Sequence, residues 1–331
     1  MGAVMGRAAV LTGIGSALPD RVVTNDELAT RMDTSDQWIR SRTGIGERRV
    51  VEPGTATSDL AVDAGARVLV SAGVDRVDVL VLATTTPDQP CPATAPAVAS
   101  RLDLGPIPAH DVAAVCSGFL YGLASAAGLI AAGLADRVLM IGAEAFTTII
   151  DPTDRTTAPI FGDGAGAVVL TAGERSERGA LLGFDLGSDG ALADLIMVPS
   201  GGSRDRDGDE RYMHMRGKAV FVQAVQRMAE SSLTALARTG WSVDSVDCLV
   251  GHQANVRILR AVAEQLGLPA EKAFTDLDKY GNTAGASIPI ALADAAAAGV
   301  IAPGDRVLLT AFGGGATWGA VALEWPDVTP G

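Results

Sequence analysis

Hydrophobic residues are concentrated in short continuous runs that alternate with longer stretches of helical spacing. The runs VDVLVLA (77–83) and DRVLMIGA (136–143) have the apolar character of strands that are covered on both faces. Apolar residues at intervals of three and four in 60–73 and 117–133 predict helices before and between these strands. Because strands that alternate with helices are joined by right-handed crossovers, the pattern predicts an α/β fold with largely parallel sheets.

The pattern contains an internal repeat. VDVLV at 77–81 matches VDCLV at 246–250, and DRVLM at 136–140 matches DRVLL at 305–309, both at an offset of 169 residues. One match between short apolar strands is common by chance, but two matches at the same offset indicate that a supersecondary unit is used twice. We therefore expect two related halves.

Length and polarity set the boundaries of these halves. The chain has 331 residues, which is more than a single hydrophobic core usually serves. We place the N-terminal half at residues 1–172 and the C-terminal half at residues 173–331. The most polar stretch, residues 201–217, predicts an exposed loop before the second copy of the unit.

Charge, hydropathy and cysteine content exclude several classes of protein. A formal net charge of −13 disfavours binding to nucleic acid, and no run reaches the roughly 18 uncharged apolar residues that a membrane span requires. Three cysteines are too few and too scattered for a disulfide framework or a zinc site. Residues 1–19 resemble a signal peptide only weakly, because residues 10–19 read as a strand that enters a glycine-rich turn, and we expect a cytoplasmic protein.

One cysteine lies where an apolar strand meets a helix. Cys116 is in DVAAVCSGFLYGL (111–123), and at the 169-residue offset it corresponds to Gly285, at the start of the equivalent helix. The free N–H groups and the positive dipole end of a helix favour the thiolate, which is the nucleophilic form. The spacing alone leaves open that Cys116 is a small buried hydrophobe, the commonest role of a free cysteine. We expect Cys248 in the core and Cys91 in a proline-rich loop.

Polar residues and glycines follow the other predicted strands at positions that could complete a site around a thiol. His252 comes directly after a buried strand, where α/β proteins place functional groups, and Asn282 lies close to glycines. Three glycines at 313–315 could direct N–H groups at an oxyanion, although a flexible turn is the simpler interpretation. Together these residues favour a catalytic site, whereas His110 and His214 are expected on the surface.

Longer motifs give the chain a specific resemblance over nearly its whole length. The motifs are TSDQWIRSRTGI (34–45), DVAAVCSGFLYGL (111–123), DPTDRTTAPIFGDGAGAVVL (151–170), HQANVRI (252–258), YGNTAGASIP (280–289) and AFGGGATWG (311–319). In this order they resemble β-ketoacyl-acyl-carrier-protein synthase III, the initiating condensing enzymes of the thiolase-like superfamily. The resemblance implies a thiolase-like five-layered αβαβα fold from two pseudo-duplicated halves, usually in a homodimer, with no metal or redox cofactor.

The resemblance also implies a catalytic triad of Cys116, His252 and Asn282. In the family's mechanism the cysteine takes an acyl group from acyl-CoA, and malonyl-acyl carrier protein then loses CO2. The resulting enolate attacks the acyl-cysteine and gives a β-ketoacyl thioester, in fatty acid or polyketide priming. His252 and Asn282 would stabilise the malonyl thioester oxygen, and the backbone N–H groups of Cys116 and Gly314 would form the oxyanion hole.

Five residues match the family's CoA-binding and condensation positions. Trp38 and Arg155 match residues that sandwich the CoA adenine, and Arg42 matches one that meets the CoA phosphates. Asn255 matches a residue of the pantetheine channel, and Phe312 matches a residue near the condensation site. Without the resemblance, the tryptophan would be assigned to the core and both arginines to the solvated surface.

The acyl pocket departs from the family's pattern. Phe146 and Phe161 fall at or near positions that line this pocket. Cys91 falls where acetyl-selective members carry a Phe that closes the partner subunit's pocket. Because Cys is far smaller, we expect primers longer or bulkier than acetyl, although Phe146 could offset the gain in space.

The surface for the acidic carrier protein departs as well. Family members usually present a basic helix after HQAN, and this chain keeps Arg257 and Arg260 there. Glu264 and Gln265 stand where members often have Lys. We therefore expect docking of the carrier protein that is weaker or specific to one partner.

Two other functions are compatible with a related scaffold. One is an acyltransferase that passes the acyl group from Cys116 to an alcohol or amine; such relatives commonly alter the asparagine position, and Asn282 is intact. The other is a noncatalytic partner subunit, which usually lacks the nucleophile. Thiolases and hydroxymethylglutaryl-CoA synthases use a second cysteine or a glutamate, and GNTAG fits neither well.

Overall fold

Two β-sheets form the frame of the molecule, and the computed structural model describes residues 7–331. The strands are β1 Ala8–Ala17, β2 Val22–Thr24, β3 Glu47–Arg49, β4 Val79–Ala83, β5 Ala109–Val112, β6 Arg137–Glu144, β7 Gly164–Gly173, β8 Leu181–Ser188, β9 Ile196–Met197, β10 His214–Met215, β11 Cys248–Gly251, β12 Arg306–Gly313 and β13 Thr317–Glu324. The α-helices are α1 Asn25–Ala29, α2 Asp36–Thr43, α3 Thr57–Ala72, α4 Ala95–Arg101, α5 Gly118–Ala131, α6 Gly217–Thr239, α7 Val256–Leu266, α8 Leu277–Tyr280 and α9 Ser287–Ala297.

The strand order places parallel pairings on one side of each sheet and antiparallel pairings on the other. The first sheet has the order β1-β7-β6-β4-β5, and the second has the order β11-β12-β13-β8. β4 is parallel to β5 and β6, and β11 is parallel to β12, as predicted. β7 and β13 are antiparallel to their neighbours, so the prediction of largely parallel sheets is wrong for them. β12 and β13 are joined by a short turn, which connects only antiparallel strands.

Helices cover both faces of both sheets. The largest core cluster packs α5 and α9 between the two sheets. α3 and α4 cover the outer face of the first sheet, and α6 and α7 cover the outer face of the second. The layers therefore run helix, sheet, helix, sheet, helix, which confirms the expected five-layered architecture.

The backbone follows the repeat that the sequence shows. β6 begins at Arg137 and β12 begins at Arg306, which is the 169-residue offset. Short 3-10 turns precede α5 and α9 at the same offset, at Val115–Ser117 and Ala284–Ala286. The first residue of each turn, Val115 or Ala284, has a φ of +46°. Residues other than Gly, Asn and Asp rarely adopt this region. The two copies thus share an unusual turn as well as a strand pattern.

The strands of the two sheets separate cleanly along the chain. The first sheet ends at Gly173 and the second begins at Leu181. The proposed division between residues 172 and 173 lies next to this crossover, and it stays a prediction about the domains. Residues 1–6 of the N-terminal half lie outside the described residues, and the strand predicted at residues 10–19 is found as β1.

The polar stretch at 201–217 is an exposed loop only in its first part. Met213 is buried, β10 pairs with β9, and α6 begins at Gly217. The charged residues of this stretch dominate its composition and hide the apolar spacing of Met213 and Met215. The prediction of a loop over the whole stretch is therefore wrong from Met213 onward.

The part of the chain that the structure describes contains neither a membrane-spanning helix nor a candidate metal site. Within residues 7–331, no helix is both long and apolar enough to cross a membrane. The same residues include no group of three or more His, Cys, Asp or Glu side chains that could hold a metal ion.

A buried arginine of β3 connects the β2–α1 segment to the segment that precedes Phe161. Arg48 is 1% exposed and donates to the carbonyl oxygen of Val23 at 2.9 Å, to Asn25 Oδ1 at 2.7 Å and to the carbonyl oxygen of Pro159 at 2.7 Å. Burial lowers the pKa of Arg48 to about 10, so the guanidinium stays charged at neutral pH. One side chain thus satisfies three acceptors from two distant segments of the chain.

Replacing this arginine should destabilise the fold. Arg48→Ala leaves three acceptors without their donor, and we expect the free energy of unfolding to fall by about 3 kcal/mol or more. Arg178→Ala is the matched control, because Arg178 makes only an exposed ion pair with Glu324, whose removal should cost less than about 1 kcal/mol. Thermal and denaturant unfolding measure both changes. Equal losses in the two variants would contradict the role given to Arg48.

Candidate active site

The side chains of Cys116, His252 and Asn282 line one cavity. Cys116 comes from the first copy of the repeat, and the other two residues come from the second. The three residues are 6%, 3% and 5% exposed. The cavity has a volume of about 40 Å³, room for a few water molecules and not for a long acyl chain. The structure therefore brings these three sequence-predicted residues together.

The backbone around Cys116 is packed against the end of β12. Cys116 lies in the turn Val115–Ser117, and the Ser117 hydroxyl lies 2.8 Å from the Ala114 oxygen and 2.7 Å from Thr317 Oγ1. A Cβ atom at Gly313 would lie 2.8 Å from the Cys116 nitrogen, closer than real Cβ atoms come to other atoms. Glycine at 313 is therefore what allows the second sheet to reach the turn that carries Cys116.

The environment of Cys116 favours the neutral thiol. Burial raises the pKa of Cys116 well above its ordinary value, and the negative charge of Glu144 raises it further. The backbone N–H of Cys116 acts in the opposite direction but does not outweigh burial. The expectation that the helix start alone makes the resting residue a thiolate is therefore wrong, because it ignored the depth at which the sulfur lies.

Glu144 is a buried carboxyl group that the sequence analysis missed. It ends β6 and accepts hydrogen bonds from Thr85 N at 3.0 Å, Thr86 Oγ1 at 2.9 Å and Gly285 N at 3.3 Å. Burial raises the pKa of Glu144 to about 7, although these hydrogen bonds act to lower it. An acidic residue directly after the run at 136–143 is the signal that could have found it, since it is the same position after a strand that identified His252.

His252 is held at both its backbone and its ring. Its N–H donates to the Thr310 oxygen at 2.8 Å, and its Nδ1 lies 2.6 Å from Ser287 Oγ. Burial lowers the pKa of His252 to about 3, so the ring is neutral at neutral pH. Nε2 is buried and has no hydrogen-bond partner among the described residues.

Asn282 is held by a segment of the other half. Its N–H donates to the Ile160 oxygen at 2.9 Å, and its carbonyl oxygen accepts from Gly162 N at 3.0 Å. Its side-chain Oδ1 accepts from Ala284 N at 2.9 Å. The oxygen is an acceptor, so the donor that this side chain can offer to a ligand is its amide nitrogen.

Aromatic side chains form the apolar wall of the cavity. Phe146 and Phe161 are stacked with their ring centroids 4.8 Å apart, and Phe312 also lines the cavity. The other apolar lining residues, which the sequence analysis did not identify, are Ile196, Met215, Val220, Ala224, Met228, Ala254 and Ile258. Cys91 lies elsewhere, exposed in the loop between β4 and α4. Its predicted effect on the pocket therefore depends on a partner subunit.

The predicted CoA-binding residues form a cluster on the surface. The guanidinium carbons of Arg42 and Arg155 lie 4.6 Å and 4.9 Å from the ring centroid of Trp38. Asn255 Nδ2 donates to the Arg42 oxygen at 2.9 Å, and Asn255 Oδ1 accepts from Arg257 N at the start of α7. Trp38 is half-buried, so it is not the core residue that its type alone suggests.

The remaining predicted residues lie around this cluster and the cavity. Arg257 and Arg260 are exposed on α7, and neither is within 4.0 Å of a carboxylate among residues 7–331. Gly314 is buried in the turn after β12, where an added Cβ would lie 3.0 Å from the Ile196 oxygen. His110 and His214 are exposed, as expected, but both lie in strands.

Protein-family models match both halves of the chain. The model of 3-oxoacyl-[acyl-carrier-protein (ACP)] synthase III matches residues 110–190. The model of the C-terminal part of the same enzyme matches residues 236–325. Together these ranges include Cys116, His252 and Asn282.

Whole-length relatives agree with the models. Beta-ketoacyl-[acyl-carrier-protein] synthase III 5 of Streptomyces coelicolor is 61% identical over 98% of this chain and 99% of its own. The crystal structure of 3-oxoacyl-(acyl carrier protein) synthase III from Pseudomonas aeruginosa PAO1 is 51% identical, with a TM-score of 0.94 over 98% of this chain and 100% of its own. The priming beta-ketosynthase from the R1128 polyketide biosynthetic pathway is 32% identical, with a TM-score of 0.91 over 99% of each chain. The present chain belongs to the β-ketoacyl-[acyl-carrier-protein] synthase III family.

Proposed function

We propose that the chain loads an acyl group from acyl-CoA onto Cys116 and condenses it with malonyl-acyl carrier protein. Its family makes it an initiating ketosynthase of fatty acid or polyketide synthesis. The observation that carries the assignment of roles is the single cavity in which a thiol, an imidazole and a carboxamide meet. We propose that the reaction takes place in the cytoplasm. Side chains and backbone amides carry it out without a cofactor.

Acyl transfer is the first step of the proposed reaction. The Cys116 sulfur attacks the thioester carbonyl of acyl-CoA, the carbon–sulfur bond to CoA breaks, and the thiol proton leaves with CoA. The carbonyl oxygen carries negative charge during this exchange, and the N–H groups of Cys116 and Gly314 are the donors that we assign to it. The raised pKa of the thiol makes loss of its proton a cost that substrate binding has to offset.

Decarboxylation and condensation form the second step. The malonyl thioester loses CO2, and its enolate oxygen accepts hydrogen bonds from His252 Nε2 and Asn282 Nδ2. The enolate carbon attacks the acyl carbonyl, the bond to Cys116 breaks, and the sulfur recovers a proton from solvent. Fixed donors in a cavity that excludes water stabilise such charge more strongly than water does.

Substrate binding uses the surface cluster and the partner subunit. The adenine of CoA stacks between Trp38 and Arg155, which requires Arg155 to move, because 4.9 Å leaves no room for a ring between them. Arg42 contacts the CoA phosphates and Asn255 lines the pantetheine channel. The carrier protein docks on Arg257 and Arg260.

A homodimer completes the acyl pocket in this proposal. β5 is an edge strand of the first sheet, and the loop that carries Cys91 lies before α4 at the same side. Cys91 reaches the partner subunit's pocket, beside the wall that Phe146, Phe161 and Phe312 form. Its small side chain admits primers larger than acetyl.

Removing either hydrogen-bond donor should have a different effect from removing the nucleophile. His252→Ala and Asn282→Ala should each lower 14CO2 release from carboxyl-labelled malonyl-acyl carrier protein by about 10²–10³-fold, because each removes a donor to the enolate oxygen. Intact mass should still show an acyl adduct in both variants and none in Cys116→Ala. His214→Ala, which changes an exposed histidine outside the site, should behave as the wild type. An adduct whose acyl group passes to an alcohol or amine without CO2 release would instead identify the acyltransferase alternative.

The acyl pocket prediction concerns primer length. In a series of acyl-CoA primers, the wild type should prefer chains longer or bulkier than acetyl, and Cys91→Phe should shift the preference toward acetyl because the ring fills the partner subunit's pocket. Cys91→Ser is the control of similar size and should keep the wild-type order. Clear preference of the wild type for acetyl-CoA would refute the prediction.

The reactivity of Cys116 should depend on pH and on Glu144. Because burial and this carboxylate raise the pKa of the thiol, alkylation of Cys116 by iodoacetamide should still accelerate above pH 9, the ordinary pKa of cysteine. Above pH 7, where Glu144 is ionised, Glu144→Gln should accelerate alkylation at a given pH, whereas the control Glu324→Gln should not. Peptide mass mapping separates Cys116 from the exposed Cys91. A rate that levels off near pH 7 would mean that the resting thiol is activated after all.

A further inference from the structure

We propose that Ser287 fixes the tautomer of His252, so that the neutral ring presents an N–H on Nε2 to the cavity. Ser287 is then a positioning residue, since it acts through His252 and does not touch the reacting atoms. The inference rests on the proposed function, in which His252 is a donor to an oxyanion. It adds a reason why the ring donates there instead of accepting the proton of Cys116.

The contacts of the Ser287 hydroxyl determine where its hydrogen goes. Ser287 is the first residue of α9 and is 2% exposed. Its Oγ lies 2.6 Å from His252 Nδ1 and accepts from Gln253 N at 3.3 Å. An N–H group offers no acceptor, so among residues 7–331 the acceptor that the hydroxyl hydrogen reaches is Nδ1.

The alternative arrangement leaves a buried hydrogen without a partner. If Nδ1 carried the ring proton and donated to Oγ, the Ser287 hydroxyl hydrogen would have no acceptor in an apolar surrounding. That arrangement leaves both the Ser287 hydrogen and Nε2 without a partner, whereas the arrangement in which Ser287 donates leaves only the Nε2 hydrogen free for a ligand. The hydroxyl therefore keeps Nδ1 unprotonated and places the ring proton on Nε2.

Gln253 keeps the hydroxyl from rotating away. Its side chain is buried, with Nε2 donating to the Gly251 oxygen at 2.8 Å and Oε1 accepting from Asp276 N at 3.2 Å. The backbone N–H of Gln253 is thereby fixed beside Ser287 Oγ. With one lone pair of the oxygen engaged, the hydroxyl hydrogen is directed toward the ring.

The free end of the ring matches the chemistry that the site requires. His252 Nε2 is buried without a partner among the described residues, and the ring lines the same cavity as Cys116 and Asn282. Because burial lowers the pKa of His252 to about 3, the tautomer, and not the charge, decides what this nitrogen offers. An N–H at this position gives the enolate oxygen a second donor beside the Asn282 amide.

Nitrogen NMR of the histidine rings tests the tautomer directly. The chain has only three histidines, so selectively 15N-labelled protein gives a spectrum that single substitutions of His110 and His214 can assign. In the wild type we expect His252 to show a protonated Nε2 and an unprotonated Nδ1 from pH 8 to pH 5. A protonated Nδ1 would overturn the inference, and this result needs no variant of Ser287.

Substitution of Ser287 tests the consequence. Ser287→Ala should populate the other tautomer and lower 14CO2 release by about tenfold or more, a part of the 10²–10³-fold effect of removing a donor. Formation of the acyl adduct on Cys116 should stay at the wild-type rate, and Ser287→Thr should restore CO2 release. Ser232→Ala is the matched control, because it removes a buried hydroxyl without a partner on α6.

The outcomes separate this inference from the proposed function. If Ser287→Ala keeps the wild-type tautomer and rate while His252→Ala loses CO2 release, the role of Ser287 is wrong and the condensation stands. If His252→Ala releases CO2 at the wild-type rate, the proposed role of His252 fails, whatever the NMR spectrum shows. A fall in Ser287→Ala that Ser232→Ala matches, with an unchanged tautomer, would make the effect merely structural and would overturn the inference.

Discussion

The site depends on the close contact of two helix starts between the sheets. A Cβ atom at Gly285 would lie 3.1 Å from the Val115 oxygen, and one at Gly142 would lie 2.6 Å from the Gly285 oxygen. The turns before α5 and α9 therefore meet backbone to backbone, and Gly142 of β6 and Gly313 of β12 approach them closely because neither has a side chain. This packing brings Cys116 and Asn282 from distant parts of the chain to one cavity.

Burial then sets the chemistry of every polar group at this contact. The same loss of water raises the pKa of Cys116, raises that of Glu144 to about 7 and lowers that of His252, so burial acts against the charged form of each group. Neutral groups hold a buried cavity at lower cost than charges do. Hydrogen bonds, and not ion pairs, therefore orient the site, and a charge that arises during reaction meets donors that are already in place.

Local patterns in the sequence were sufficient for the strands and helices of the repeat and for the position of His252. The strands of the repeat were identified because buried strands are continuous apolar runs, and His252 was identified because it follows one. Glu144 was missed although it also follows a strand run, and Ser287 was missed because its importance lies in contacts with residues far along the chain, which periodicity does not report. The charge of Cys116 was predicted wrongly for a related reason: a helix start is visible in the sequence, but the depth of the sulfur is not.

The two copies of the repeat differ at the end of their central strand. One copy ends in Glu144, whose carboxylate accepts the N–H of Gly285; the other ends at the same offset in Gly313, beside the N–H of Cys116. The exchange of one side chain therefore gives the two copies unequal roles. A carboxylate accepts the N–H at one helix start, whereas a glycine lets backbone approach the N–H at the other.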